Sequence, residues 1–334
     1  MLIRSPIAGD PTLQDQNPIG AFNVTSILDV PTTPGKEAVL TLKLLMFLEP
    51  KDPPPMRSGD PFPMANDTDG NPYTVAPWAE TPHFKTPRAD YLEGTWSKFT
   101  QLVVDLSKQF WDNKMWLRTP VTYREMDIPI PPTRKGDAPK KWHPNVRCRF
   151  DCQVVAKDQA HIHVSCWRLK KFGDETQNNT TIRSNANLYD SWDVVELEYT
   201  TQNQVGSIPA GTKLRHVSAI HEVGHALGLG HTAAKLAACA QGGNAQYGDC
   251  TGAQEWMLKN IMGSGNEIYA PFNALPWIVH MAKHTGHSDP QDRSRAYAPD
   301  PGRPDVLDNS FAGIDDWKAF PLDATFKAGD ALDF

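Results

Sequence analysis

Apolar and polar positions divide the chain into segments of different period. From Val39 to Leu48 the sequence Val-Leu-Thr-Leu-Lys-Leu-Leu-Met-Phe-Leu is almost continuously apolar, which predicts a buried strand. Between Asp90 and Asp112 the apolar residues Tyr91, Trp96, Phe99, Leu102, Val103, Leu106, Phe110 and Trp111 recur at helical spacing and predict a long amphipathic helix. Val121 to Ile130 alternates and predicts a strand. Val146 to Val155 and Ile162 to Leu169 read as two more strands, and the short connection Lys157-Asp158-Gln159-Ala160 suits a hairpin between them. Asp193 to Tyr199 reads as a strand, Val217 to Leu227 as a second helix ending at Gly228, and Ala274 to Lys283 as a third helix.

The segments without a period are equally informative. Proline is abundant, with 29 residues, and it crowds between Pro50 and Pro87. Fixed φ and missing N–H groups make that stretch an extended arm. Residues 133–145, with Lys135, Lys140 and Lys141, read as a basic, solvated loop, and 232–265 as loop-rich. Residues 1–36 are polar and full of turn residues. The stretch from Ser288 to Phe334 is rich in Asp and Pro, a candidate wrap over the domain or a partner-binding tail. No internal repeat is present at solenoid or propeller periods. The pattern predicts an α+β chain: an N-terminal extension over 1–36, a main domain over 37–287 with a Pro-rich arm at 50–88, and an acidic tail over 288–334.

Composition narrows the partners. Lys+Arg 33 against Asp+Glu 39 leaves a net charge of −6, a poor match for phosphate backbones or anionic lipid, so no nucleic-acid partner is expected. The longest apolar run, Ala38 to Leu48, is interrupted by Lys43 and is too short for a membrane span. The first ten residues lack an apolar h-region, so the expectation is export without a Sec-type signal, or a cytoplasmic protein. Five cysteines make no disulfide scaffold, and no C-x-x-C spacing suggests a thiolate-held metal. Cys148 and Cys152 on one strand stand about 13 Å apart and cannot bridge each other, whereas Cys166 could reach one of them. Cys239 and Cys250 flank a Gly-rich loop and could close a short ring. The alternative is five free thiols in a reducing compartment.

Candidate chemistry concentrates at residues 221–231, His-Glu-Val-Gly-His-Ala-Leu-Gly-Leu-Gly-His. His221 and His225 are i and i+4 on a helix, so both imidazoles leave one face, one turn apart. That spacing suits two ligands of a tetrahedral Zn²⁺. Gly228 permits the chain to leave the helix through a conformation costly to other residues, which returns His231 as a third ligand. Three neutral nitrogen ligands leave a fourth position for water, the arrangement of a catalytic zinc. Glu222 is rotated about 100° from His221 and stands beside such a water as a general base.

The segment resembles the signature of the metzincin clan of zinc metallopeptidases, H-E-x-x-H-x-x-G-x-x-H, at every fixed position. That resemblance implies a Met-turn beneath the metal, and Asn260-Ile261-Met262-Gly263 lies where one is expected, with Met262 as its methionine, 31 residues after His231. Thr232, following the third histidine, is most similar to matrixin-like or pappalysin-like members. Ser264 stands where astacins and serralysins carry a tyrosine, so that device is absent. The resemblance covers about residues 221–263. It implies a twisted, mostly parallel or mixed sheet with a long helix and an active-site helix, an upper subdomain over 89–231, and an irregular lower subdomain over 232–287 with one helix. The 146–169 hairpin fits this imperfectly, because the clan's core strands are mostly parallel. The resemblance also makes Tyr269 and Phe272 candidate walls of a substrate pocket, with ordinary core aromatics as the alternative.

The expected function is a zinc endopeptidase acting on a protein or peptide substrate, with one Zn²⁺, and the expected role is that of an exported bacterial effector or toxin. Delivery machinery or another partner could engage the Pro-rich arm or the tail. Two alternatives stand beside it: a peptidase of cell-wall peptide crosslinks, and a structural or delivery protein with a retained metal site. Glu222 weighs against the last, because a scaffold needs the histidines and not the base. His161 and His163 do not complete the Asp and His set of a second zinc, and His280, His284 and His287 have helical spacing without an acidic partner.

Overall fold

The computed structural model describes residues 2–3, 24–56, 58, 63–66, 72–78, 95–169, 184–232, 253–285, 299–300, 303–307, 318–323 and 325–333. It is an α+β fold built on a mixed sheet. The central strand, Ala38–Pro50, buries Ala38, Leu40, Leu42, Leu44, Met46 and Leu48 on one face and leaves the alternate positions half-buried. The apolar run thus behaves as a period-two strand whose second face mixes Val39, Leu45 and Phe47 with Thr41 and Lys43.

Both strands expected over 146–169 are present, but they do not form a hairpin with each other. Val146–Val154 runs parallel to the central strand from Ala38↔Val146 to Met46↔Val154. Ile162–Leu169 also runs parallel to it, from Ile162↔Met46 to Cys166↔Pro50. The chain therefore steps across the central strand at Met46 and continues in the same direction along its far half. Val155 N–H bonds to Met46 O at 2.9 Å on one side and His161 N–H to Leu45 O at 2.8 Å on the other. A parallel neighbour usually needs a long crossover because the chain must return to its start; here no return is made, so seven residues suffice. The first half of the central strand is paired as well by Thr25–Asp29, antiparallel to Val39–Lys43, so part of the polar N-terminal extension belongs to the sheet.

Other segments correct the sequence reading. Only Ile128–Ile130 of the 121–130 alternation is extended. Tyr123 and Met126, three apart and each 1% exposed, lie on one side of a single 3₁₀ turn, Arg124–Met126. The basic loop contains the strand Lys140–Pro144, and the Pro-rich arm contains Met64–Asn66 and Pro72–Ala76. Pro72–Ala76 pairs with Arg168–Leu169. Of the 193–199 strand, only Leu197–Thr200 is extended, paired with Lys213–His216. The tail adds Lys318–Pro321 to the sheet edge beside Met115–Arg118, and Gly329–Asp333 to Lys140–Pro144. Trp116 fixes this segment by stacking on Phe320 at 4.6 Å, with Phe326 edge-on at 5.6 Å.

The helices follow their periodicity. Helix α1, Trp96–Trp111, is capped by Thr95, whose hydroxyl accepts from Lys98 N–H at 3.2 Å, and buries Phe99, Val103, Ser107 and Trp111. Helix α2, Ser218–Ala226, packs against α1, where the Trp111 indole donates to Ile220 O at 3.2 Å. Instead of the one expected C-terminal helix, the described residues hold three helical pieces: α3, Glu255–Lys259; α4, Ala270–Asn273; and α5, Leu275–His284. Among the described residues, no helix is long and apolar enough to cross a membrane.

Candidate metal centre

Helix α2 carries His221 and His225 one turn apart, their rings 4.7 Å centre to centre and nearly perpendicular at 83°. The helix stops at Leu227, and Gly228 takes φ +94, the left-handed conformation expected of it. His231 then returns to the helix. Its Nε2 lies 3.1 Å from His225 Nε2 and 3.2 Å from His221 Nε2. Nitrogens about 2.0–2.1 Å from a tetrahedral zinc stand about 3.3–3.4 Å from one another, close to this spacing.

The opposite ring atoms fix the protons. His221 Nδ1 lies 2.6 Å from Ile261 O and His225 Nδ1 lies 2.8 Å from Leu229 O. A carbonyl only accepts, so each Nδ1 carries the hydrogen and each Nε2 of these neutral rings presents a lone pair. One proton on His231 Nε2 can satisfy either of those lone pairs but not both; a cation satisfies all three nitrogens. The donor set therefore fits a zinc ion. Burial pushes the His221 pKa well below its ordinary value, helped by neighbouring His225, His216 and His231, and burial also lowers that of His225. Neutral rings are the form that binds metal. Among the described residues, these three are the one group of His, Cys, Asp or Glu side chains converging closely enough to hold an ion. Glu222 follows His221 and is buried, 6% exposed.

The segment 260–263 lies under α2. A bond from Gly263 N–H to Asn260 O at 2.9 Å closes a turn that presents fully buried Met262. The helix accommodates that sulfur at Gly224, where a β-carbon would collide with it. Asn260 Oδ1 accepts from Met262 N–H at 2.9 Å, and Asn260 Nδ2 donates to Asn273 Oδ1 at 2.7 Å. Thr232 ties the strand end after His231 to the same turn, its N–H bonding Met262 O at 3.2 Å. This turn thus supplies both the packing below the three histidines and, through Ile261 O, the acceptor that orients His221.

The other expected residues divide. Tyr269 is half-buried and stacks on Trp256 at 4.4 Å, while Phe272 is a core residue, 2% exposed. A cavity of about 910 Å³ lies between α1, the start of α2 and the segment after the Met-turn; Ile268 and Asn266 line it, whereas Tyr269 and Phe272 do not. Cys239 and Cys250 lie outside the described residues. Cys148, Cys152 and Cys166 are buried free thiols, and burial pushes the Cys152 pKa up to about 12. His161 Nδ1 accepts from Leu45 N–H at 3.1 Å, a backbone role in place of a metal. His280 Nδ1 and His284 Nε2 lie 2.8 and 2.9 Å from Ser26 Oγ, which joins α5 to the sheet.

Three contributors escaped the sequence reading. His216 packs edge-on against His221 at 5.1 Å and donates from Nδ1 to Gly265 O at 3.1 Å. Asn273 completes the support of the Met-turn, and Asp193 meets the start of α2. None has a sequence signal, because each works through a backbone group or a distant partner. Family models, curated proteins and solved structures offer no match to the chain.

Proposed function

We propose that the chain is a zinc-dependent endopeptidase of metzincin type, with His221, His225 and His231 as ligands and Glu222 as general base. The observation that carries this reading is the convergence of three Nε2 atoms whose rings are held as Nδ1–H tautomers by carbonyl acceptors. A zinc ion bound there supplies Lewis acidity, polarising a carbonyl and making water more acidic. Glu222 takes the proton of the attacking water and passes it to the leaving amine. Met262 and Ile261 hold the ligand helix in place while the proton moves.

The test combines metal analysis with digestion of a peptide library containing both protein-derived peptides and cell-wall crosslink peptides. One zinc per chain is expected, absent when all three histidines are changed to Ala, together with cleavage that a chelator stops. Glu222→Gln should keep the zinc and lose at least about a hundredfold in rate. Stoichiometric zinc in the triple variant overturns the ligand assignment. Parental cleavage by Glu222→Gln overturns the base.

A further inference from the structure

Helix α2 begins without a cap of its own, for Val217 makes no side-chain bond to the first turn. The first N–H groups of a helix need acceptors from elsewhere. Ala219 N–H finds one in the main-chain oxygen of Asp193 at 3.0 Å, and Ala219 lies two residues before His221. Asp193 is itself fixed: its Oδ2 accepts from the Ser184 hydroxyl at 2.6 Å and from Asp190 N–H at 2.7 Å. The turn that carries it is bonded to the sheet, with Ser191 N–H to Trp167 O at 2.9 Å and Leu169 N–H to Ser191 Oγ at 3.1 Å. The Asp193 side chain is 1% exposed, and burial pushes its pKa up to about 7 against the pull of Ser184, Asp190 and Ser218. A carboxyl at the start of a helix also complements the helix dipole.

We infer that Asp193 is a positioning residue of the metal centre, holding the start of α2 to the sheet so that His221 and Glu222 stand in register with His231. The inference rests on the reading of α2 as the metal-bearing helix. Its side chain acts by locking the turn; its carbonyl acts by capping the helix.

The test uses the full chain with Asp193→Ala, Asp193→Asn and Ser184→Ala. Zinc affinity by chelator competition and the visible spectrum of the cobalt-substituted protein are read beside kcat and KM on a cleaved peptide. Asp193→Ala should weaken zinc about tenfold, the scale of a lost outer-shell contact, alter the cobalt spectrum, and lower kcat with KM unchanged. Asp193→Asn should restore most of this, because it keeps an oxygen acceptor for Ser184 and Asp190. Ser184→Ala should give a smaller shift in the same direction, and with Asp193→Asn it decides the matter if Asp193→Ala does not fold. Parental zinc affinity and cobalt spectrum in Asp193→Ala, or in Ser184→Ala where the former does not fold, overturn the inference. If the protein binds zinc and cleaves nothing, the peptidase reading fails while the metal readouts still judge Asp193.

Discussion

Gly224, between two candidate ligands, makes a sharp test of how the Met-turn meets α2. A β-carbon there would strike the Met262 sulfur and lie 3.1 Å from Trp111 Cζ2 and 3.2 Å from Met262 Cε. Met262 and Trp111 are both 0% exposed, so neither has open space to retreat into. Helix propensity alone favours Ala over Gly by about 1 kcal/mol. Overpacking a filled core costs about 1–3 kcal/mol, so Gly224→Ala should be neutral to destabilising by about 2 kcal/mol. Met262→Ala alone should cost about 2–5 kcal/mol. In the double variant the collision with Met262 is gone, Trp111 can shift into the vacated space and the propensity gain remains, so the second change should cost less than it does alone. The coupling then equals the clash, about 1–3 kcal/mol. Urea unfolding of the four proteins with chelator present measures it without reference to activity. Additivity within about 0.5 kcal/mol would refute the contact.

Two further outcomes follow from the same packing. Asn273→Ala removes the acceptor shared by Asn260 Nδ2 and Tyr269 N–H, each at 2.7 Å, and should cost about 1–3 kcal/mol per orphaned donor in urea unfolding; a loss below about 0.5 kcal/mol contradicts this role. His284 is half-buried, and burial holds its pKa below the ordinary 6.5, so as pH falls the unfolded chain takes up this proton first. Its contribution is present above pH 6.5 and is lost as pH falls through the folded value, so His284→Gln should lose less stability than the parent between about pH 7 and 5. Parallel melting-temperature profiles would dismiss it.

Helices α1, α2 and α5 and the convergence of His221, His225 and His231 were legible because their signals are local: a 3.6-residue period, two histidines one turn apart, a glycine where φ turns positive. The sheet was less so. A seven-residue link after Val154 fits an antiparallel turn as well as a parallel step, and what decides between them is that Met46 lies between the two strands. Tail strand Lys318–Pro321 has no apolar alternation because it lies on an edge; Phe320 stacked on Trp116 is what fixes it. The acceptors that fix the histidine tautomers are carbonyls of Leu229 and Ile261, and a carbonyl leaves no trace in residue type.

That division bears on what a zinc measurement reports. The three candidate ligands fall within an eleven-residue stretch, 221–231, so the sequence alone brings them near one another. Their orientation is set from much farther away: His221 by Ile261 O, α2 from below by Met262, and its first turn by Asp193. Each of these contacts exists only when the sheet and the segment after the third histidine have docked on α2. The unfolded chain keeps the histidine spacing and loses the orientation, so a zinc ion held by these three rings would bind the folded form preferentially and stabilise it by linkage. A variant that weakens zinc need not touch a ligand, and the cobalt spectrum separates the two cases, because loss of a ligand changes the donor set while loss of a support distorts the same donor set.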